Sequence, residues 1–315
     1  MAVDRHRKAG TETICFFGCQ CPSGTTVAWV YGRGMENFIW DPSQYAVFAG
    51  HRARPFYDLS AAIYADQPRT VVDMGCGPGN MTRTLAQRWP QAEVIGLDSS
   101  REMVQEARLS LQDDPQAPTN LRFEHIEAEQ WEPDASVDVV VSNAMLQWIP
   151  NHRQLMDRWL GQMSPGAWFA MQVPGNYSAP SHRTIAELAN RPEYAEASQR
   201  TYTGESIYTP REYTHTLIRR GFRPNVWETT YHQVLTGEEP VYNWVKGAAL
   251  RPVLQGLAEI DERDGSNLQA AYLSEYRERM LHDYPPYTSP DGTVVTIFPM
   301  RRVFVVGHKE LDYTI

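Results

Sequence analysis

From Asp41 onward apolar residues recur at helical spacing. Asp41 can cap a helix that Pro42 opens, and Tyr45, Phe48, Phe56, Leu59 and Ile63 then fit one or two helices leading into a core. Beyond them the period changes. Short apolar runs at 70–74, 93–97, 121–126, 137–142 and 168–173 read as strands, and 80–89, 101–111 and 153–163 between them read as amphipathic helices. This alternation predicts an α/β fold with a parallel sheet covered by helices on both faces. After residue 173 the chain is polar and helical to 221, strand-like over 226–235, helical again over about 240–281, and ends in a strand or hairpin over 294–307. The two helical insertions are too long for plain connections and predict a cap over the site. Residues 1–34 lack periodicity and read as a disordered N-terminal extension. The expected organisation is one domain over 35–315, with a core of 65–175, 222–236 and 293–308 and a helical cap of 176–221 and 237–292.

The run 71–80, VVDMGCGPGN, ends a strand in three glycines at alternate positions and opens a helix. Gly75, Gly77 and Gly79 allow a tight turn and a close backbone approach to a ligand. Nineteen residues past Gly79 the next strand ends in Asp98, the spacing at which an acid meets a ribose hydroxyl. A dinucleotide fingerprint needs a glycine where Asn80 stands, and no lysine follows to make a phosphate-cradling loop. The pattern, with Asp73 two residues before Gly75, resembles the first motif of class I S-adenosylmethionine-dependent methyltransferases. That resemblance implies a Rossmann-like seven-stranded sheet and S-adenosylmethionine as cofactor. It implies a cofactor site of Asp73, Gly75, Cys76, Gly77, Gly79, Asp98 and Ser99. In the same reading Glu127 faces the adenine amino group, Ala128 offers its N–H to a ring nitrogen, and Ser142 and Asn143 lie near the methionine half.

Composition narrows the class. The chain has 315 residues, 42% hydrophobic and 21% charged, which is ordinary for a soluble globular enzyme. Its net charge of −9 disfavours non-specific attraction to nucleic acid or anionic lipid. No apolar run approaches the ~20 residues of a membrane span. Cys15, Cys19 and Cys21 lack a fourth ligand at suitable spacing, so no metal is expected and the compartment reads as reducing and cytoplasmic. Only three of the 29 basic residues are lysines (Lys8, Lys246 and Lys309), so arginine is the general-purpose cation here and a single arginine is weak evidence of an anion site.

Six further segments are more discriminating: WDPSQYAVFAGHRARPFYDL at 40–59, QWIPNHR at 147–153, NYSAPSH at 176–182, WETTYHQVLTG at 227–237, WVKGAALRP at 244–252 and FPMRRVFVV at 298–306. Together they resemble the trans-aconitate 2-methyltransferases. The resemblance implies methyl transfer to one carboxylate of a small tricarboxylate, giving a monomethyl ester. A carboxylate of pKa about 4 is already ionised at neutral pH, so no catalytic base is required, and His182 is the alternative should one exist. A polyanion needs donors and cations when it leaves water. Arg52, Arg54, Arg251, Arg301 and Arg302 are the candidates, with His182, Tyr231 and Lys246 as further donors. Arg301 and Arg302 are adjacent on a strand and point to opposite faces, so at most one faces the ligand. Trp148, with Trp40, Tyr45, Phe48 and Trp244, is a candidate for the pocket wall. Ala248 departs from the hydroxyl residue expected in the family. The rival readings are a methyltransferase acting on another small carboxylic acid, a non-catalytic nucleoside-binding module and an oxidoreductase on the same sheet. An amino-methylating nucleic-acid enzyme is disfavoured, because SNAMLQW follows the fourth strand where a Pro-Pro turn belongs, and DYPPY at 283–287 lies elsewhere.

Overall fold

The computed structural model describes residues 49–198, 207–247 and 249–310, with side chains described from residue 53 onward. The leader with its three cysteines, Asp41, Trp40, Tyr45, Phe48, the side chain of Arg52, and Ala248 lie outside the described residues.

A first helix, α1 (Ala49–Ala61), leads into β1 (Thr70–Met74), whose five residues are all buried, as expected of a central strand covered on both faces. Then follow α2 (Asn80–Arg88), β2 (Glu93–Asp98), α3 (Arg101–Gln112), β3 (Leu121–His125), β4 (Val137–Asn143), α4 (His152–Gln162) and β5 (Trp168–Pro174). Ser100 caps α3 by accepting from the Met103 N–H. These five strands are parallel in the order β3-β2-β1-β4-β5.

The second half supplies α5 (Pro180–Ala189), the short α6 (Ala195–Ser198), α7 (Pro210–Arg219), β6 (Phe222–Thr236), α8 (Pro240–Lys246), α9 (Arg251–Asp264), α10 (Leu268–Asp283), β7 (Pro286–Thr288) and β8 (Val294–Lys309). β8 enters antiparallel between β5 and β6. Among the described residues the sheet has eight strands rather than seven, because the chain folds back at Ser289–Thr293 and β7 pairs with the start of β8. β5 pairs with β8 only as far as Pro174 and Arg302, whereas β6 and β8 stay paired to Thr236 and Val295. The two therefore run past the carboxyl edge of the parallel strands as a ribbon.

Two apolar layers flank the sheet. One holds α1 to α3 together with α5, α8, α9 and α10, through Phe56, Leu59, Leu85, Leu188, Leu257 and Phe298. The other holds α4 and α7, through Met156, Trp159, Leu160, Tyr213 and Leu217. Helix α7, which the sequence pattern groups with the cap, thus packs on the sheet. The reason is Gly307 in β8, where a Cβ would come within 2.7 Å of Leu217 Cδ2. The cap helices are pinned by tyrosines: Tyr276 donates to the Ser181 carbonyl at 3.0 Å, Tyr272 to the Ile185 carbonyl at 3.2 Å, and the Tyr284 hydroxyl accepts from the Ser181 N–H at 3.2 Å. All three bonds end on α5, which carries His182.

Trp159 is fully buried, meets Trp131 edge-on at 5.4 Å between centroids and donates its indole N–H to the Trp131 carbonyl at 3.0 Å. Trp159→Ala is expected to lower the unfolding free energy by about 3–5 kcal/mol in urea denaturation. A loss under about 1 kcal/mol would show that this layer is not packed as described.

Candidate active site

The glycine loop joins β1 to α2. Gly75, Gly77 and Gly79 all have positive φ, at 80°, 54° and 81°. Their reasons differ. A Cβ at Gly75 would land on the Met145 side chain and one at Gly79 on the Phe123 ring, whereas a Cβ at Gly77 meets nothing within 4 Å among the described residues. Two of the three glycines therefore serve close packing inside the protein, and Gly77 is the one whose backbone is open to a ligand. The loop is fastened to the end of β2, since the Gly75 and Cys76 N–H groups both donate to the Leu97 carbonyl, at 2.8 and 3.0 Å.

Asp98 stands at that end. Its carboxylate accepts from the Gly77 N–H and from the Ser100 N–H, each at 2.9 Å, and it remains half-buried at the loop. Burial pushes its pKa up from the ordinary value, against the bonds from Ser100 and Gly77 and the charge of His125. His125 Nε2 lies 3.0 Å from the Ser99 carbonyl oxygen. A preset, partly buried carboxylate beside an open glycine fits the diol of a nucleoside. Asp73 has a different place. It is buried and accepts from the Thr82 hydroxyl at 2.7 Å, so it ties β1 to α2 and its carboxyl does not front the loop. Burial raises its pKa to about 7, with the Thr82 bond opposing and the Asp98 charge adding. Cys76 is buried and its thiol is pushed well above the ordinary range by burial.

Glu127 is exposed just beyond β3, next to Ile126, whose N–H donates to the Asp98 carbonyl at 3.0 Å, so it lies on the same rim as Asp98. Ala128 is buried. Ser99 is exposed. Ser142 and Asn143 project to opposite faces of β4. Ser142 pairs with Met171 in the α4–α7 layer, and its buried hydroxyl has no hydrogen-bond partner among the described residues. Asn143 pairs with Gln172 on the face that carries the cap, and Gln172 Nε2 donates to Asn143 Oδ1 at 2.8 Å.

From Asn143 a row of side chains continues across four neighbouring strands on that one face. Gln172 of β5 stands opposite Phe304 of β8, which stacks on Trp227 of β6 at 4.7 Å with the rings 3° from parallel. One step toward the ribbon, Arg302 pairs with Pro174 on one side and Thr229 on the other, and Tyr231 follows opposite Met300. The Arg302 charge reaches both His182 and Tyr231. Burial, then that charge, lowers the His182 pKa to about 4, so the ring is neutral at physiological pH. It sits half-buried with Tyr177 edge-on at 5.8 Å and Ser181 Oγ 3.1 Å from Nδ1. Arg54 of α1 lies 5.0 Å over the Tyr231 ring. Tyr231 is buried, and burial together with Asp58 pushes its pKa up, so the hydroxyl keeps its proton and donates it to Asp58 Oδ2 at 2.6 Å.

The structure thus brings together Arg54, His182, Tyr231 and Arg302. Arg301 is turned to the other face, ion-paired with Glu228 and donating to the Gly175 carbonyl at 3.1 Å, because alternate residues of a strand face opposite ways. Lys246 is exposed at the end of α8, with Nζ 5.6 Å over the Tyr242 ring. Arg251 opens α9 and is half-buried, and Trp148 is half-buried in the turn after β4. Trp244 is core, packed edge-on against Phe298 at 6.1 Å. Sequence reasoning missed Asp58 and Gln172. Asp58 was detectable as an acid four residues past Arg54 on one helix face, whereas Gln172 carries no local signal.

Residues 45–226 match the family model for a methyltransferase domain. The trans-aconitate 2-methyltransferase of Streptomyces avermitilis is 43% identical over 275 residues, covering 86% of this chain and 97% of that one. The chain belongs to the trans-aconitate 2-methyltransferase family. The Rhodococcus jostii member is 43% identical over 274 residues, with 86% and 100% covered. Among solved structures, the YcgJ protein of Bacillus subtilis superposes with a TM-score of 0.51 at 13% identity, covering 82% of this chain and 99% of that one. A putative methyltransferase of Bacillus halodurans gives 0.50 at 14%, with the same shares covered. These two likenesses show the fold, a Rossmann-like α/β sheet. Among the described residues no helix is long and apolar enough to cross a membrane, and no group of acids, histidines and cysteines could hold a metal ion.

Two outcomes follow from the loop. Gly79→Ala should lower the melting temperature clearly, since a Cβ there drives into the Phe123 ring. Gly77→Ala, strained by about 1 kcal/mol of backbone energy only, should keep most stability and lose cofactor affinity in calorimetry. Equal effects at both positions would refute the division of roles. Asp73 holds its proton to about pH 7 when folded but to about 3.8 when unfolded, so the folded state binds more protons between those values and stability falls as the pH rises through them. Relative to the wild type, Asp73→Asn should gain up to about 4 kcal/mol between pH 4 and 7 in denaturant titrations. A difference that does not change with pH would contradict the buried, protonated Asp73.

Proposed function

We propose that the protein transfers the methyl group of S-adenosylmethionine to one carboxylate of trans-aconitate and forms its monomethyl ester. One observation carries the reading for this chain: the row on four adjacent strands that starts at Asn143, beside the cofactor loop, and ends at Arg302 and Tyr231. A nucleoside cofactor on Gly77 and Asp98 and an anion on Arg302 are then neighbours on one face. The family relatives, which carry the name trans-aconitate 2-methyltransferase, support the acid's identity and leave the other-acid and binding-module readings unfavoured.

When bound, S-adenosylmethionine supplies an electrophilic methyl group on a sulfonium. Asp98 and the Gly77 backbone hold its nucleoside, Glu127 lies on the adenine side of the rim, and Asn143, fixed by Gln172, faces the methionine side. Arg302 and Arg54 neutralise carboxylates of the acid that are not methylated, and the guanidinium fork fixes their direction. The attacking carboxylate is ionised at neutral pH, so no proton has to move. His182, with a pKa near 4, is a neutral hydrogen-bonding partner in this scheme rather than a base. The chain's contribution is alignment and exclusion of water by the α5 and α8–α10 cap. The partner is a small molecule, the net charge of −9 supports a reading without nucleic acid, and the free buried Cys76 is compatible with a reducing cytoplasm.

Incubation with methyl-labelled S-adenosylmethionine and a panel of di- and tricarboxylates should place base-labile label on trans-aconitate, and label that resists base or fails to appear would overturn the reading. Arg302→Lys should raise the KM for the acid at least about tenfold with cofactor affinity unchanged. His182→Gln should leave kcat within about threefold, against the ~10²–10⁴-fold loss that removing a general base brings.

A further inference from the structure

We propose that Asp58 is a specificity-determining residue, which in the free enzyme occupies the place that one carboxylate of the acid takes on binding. The inference rests on the carboxylate-methylating function above. Asp58 Oδ2 accepts the Tyr231 hydroxyl at 2.6 Å and lies 3.9 Å from Arg54 Nε, while the Arg54 guanidinium covers the Tyr231 ring at 5.0 Å. Arg302 lies close enough to act electrostatically on the same hydroxyl. An O–H donor and the Arg54 guanidinium therefore meet at a position already held by a carboxylate of the chain itself, and the Arg302 charge is felt at the same hydroxyl.

An acid in the middle of the cations that receive a polyanion opposes binding unless it can leave, and Asp58 can. It sits on α1 with its side chain 45% exposed, so a rotamer change carries its charge into water with little desolvation to overcome. A carboxylate of the incoming acid presents the same two oxygens to the same donors, and the exchange replaces one anion by another. Until then Asp58 keeps Arg54 and the buried Tyr231 hydroxyl satisfied. The exchange also selects among acids. Affinity at this position is measured against an intramolecular competitor, so it falls by the fraction of time the place is taken. An acid anchored elsewhere, by a second carboxylate on Arg302, displaces Asp58 as an intramolecular step at high effective concentration, whereas a monocarboxylate has no such anchor.

Asp58→Asn keeps the shape and an acceptor for Tyr231 but removes the charge, and Asp58→Glu keeps the charge. Steady-state kinetics with trans-aconitate should show the KM of the Asn variant lowered about three- to tenfold with kcat within about twofold, and the Glu variant within about threefold of wild type. Inhibition by crotonate, a monocarboxylate, should strengthen in the Asn variant. A KM that stays or rises in the Asn variant overturns the proposal whether or not the melting temperature moves, because a residue that only fixes Tyr231 would lower the melting temperature without lowering KM. A wild-type enzyme that leaves trans-aconitate unmethylated overturns the functional reading and this inference with it, a result distinct from a wild type that methylates it while the variant fails to tighten.

Discussion

The site depends on one constraint, the antiparallel entry of β8 between β5 and β6. Because β8 runs against its neighbours, its middle rather than its end lies at the carboxyl edge of the parallel strands. Arg302 is thereby set between Pro174 and Thr229. Hydrogen-bond register leaves no freedom here: a slip of one residue would bring Arg301 to the cap face and send Arg302 to the α4–α7 layer. The same ladder places Tyr231 two residues past Thr229 and Gln172 two residues before Pro174. Three side chains that share no local sequence context thus line up on the sheet face that carries Asn143.

Electrostatics then separates roles that the residue types alone do not. Asp73, behind the cofactor loop, is fully buried against Thr82 and holds its proton to about pH 7, while Asp98, at the open side of the loop, is half-buried, its pKa raised by burial against the bonds from two backbone N–H groups. Only the second is suited to accept hydroxyl bonds from a ligand. On the acid side, Arg301 already has Glu228 as its anion, and Arg54 has Asp58. The first pair faces away from the site, while the second stands within it. This difference is why the Asp58 pair reads as exchangeable.

Much of the fold was legible in the sequence because alternating strand and helix periods are local signals, and the glycine loop and Asp98, paired by their spacing, do meet through the Gly77 N–H. That the segment from 240 to 281 is helical was legible from its apolar spacing. Other features were not, for physical reasons. That α7 covers the sheet depends on the space left by Gly307, ninety residues away from Leu217 in sequence. That Gly75 and Gly79 serve Met145 and Phe123 depends on tertiary packing that no loop motif records. Adjacent arginines were readable as facing opposite ways, but which one meets the site is set by register across three strands. The spacing of Asp58 from Arg54 was readable, but that it meets Tyr231 depends on packing between α1 and β6 that no local pattern records.

The most direct measurement of the central claim is a crystal structure of the protein with S-adenosylhomocysteine and trans-aconitate bound together. In that complex the ribose diol is expected on Asp98, one carboxylate of the acid on Arg302, a second in the place of Asp58 at Tyr231 and Arg54, and the third beside the cofactor sulfur. Acid found instead on the Arg301–Glu228 face, or in the charged cleft between α5 and α10 lined by Arg183, Glu187 and Arg279, would contradict it.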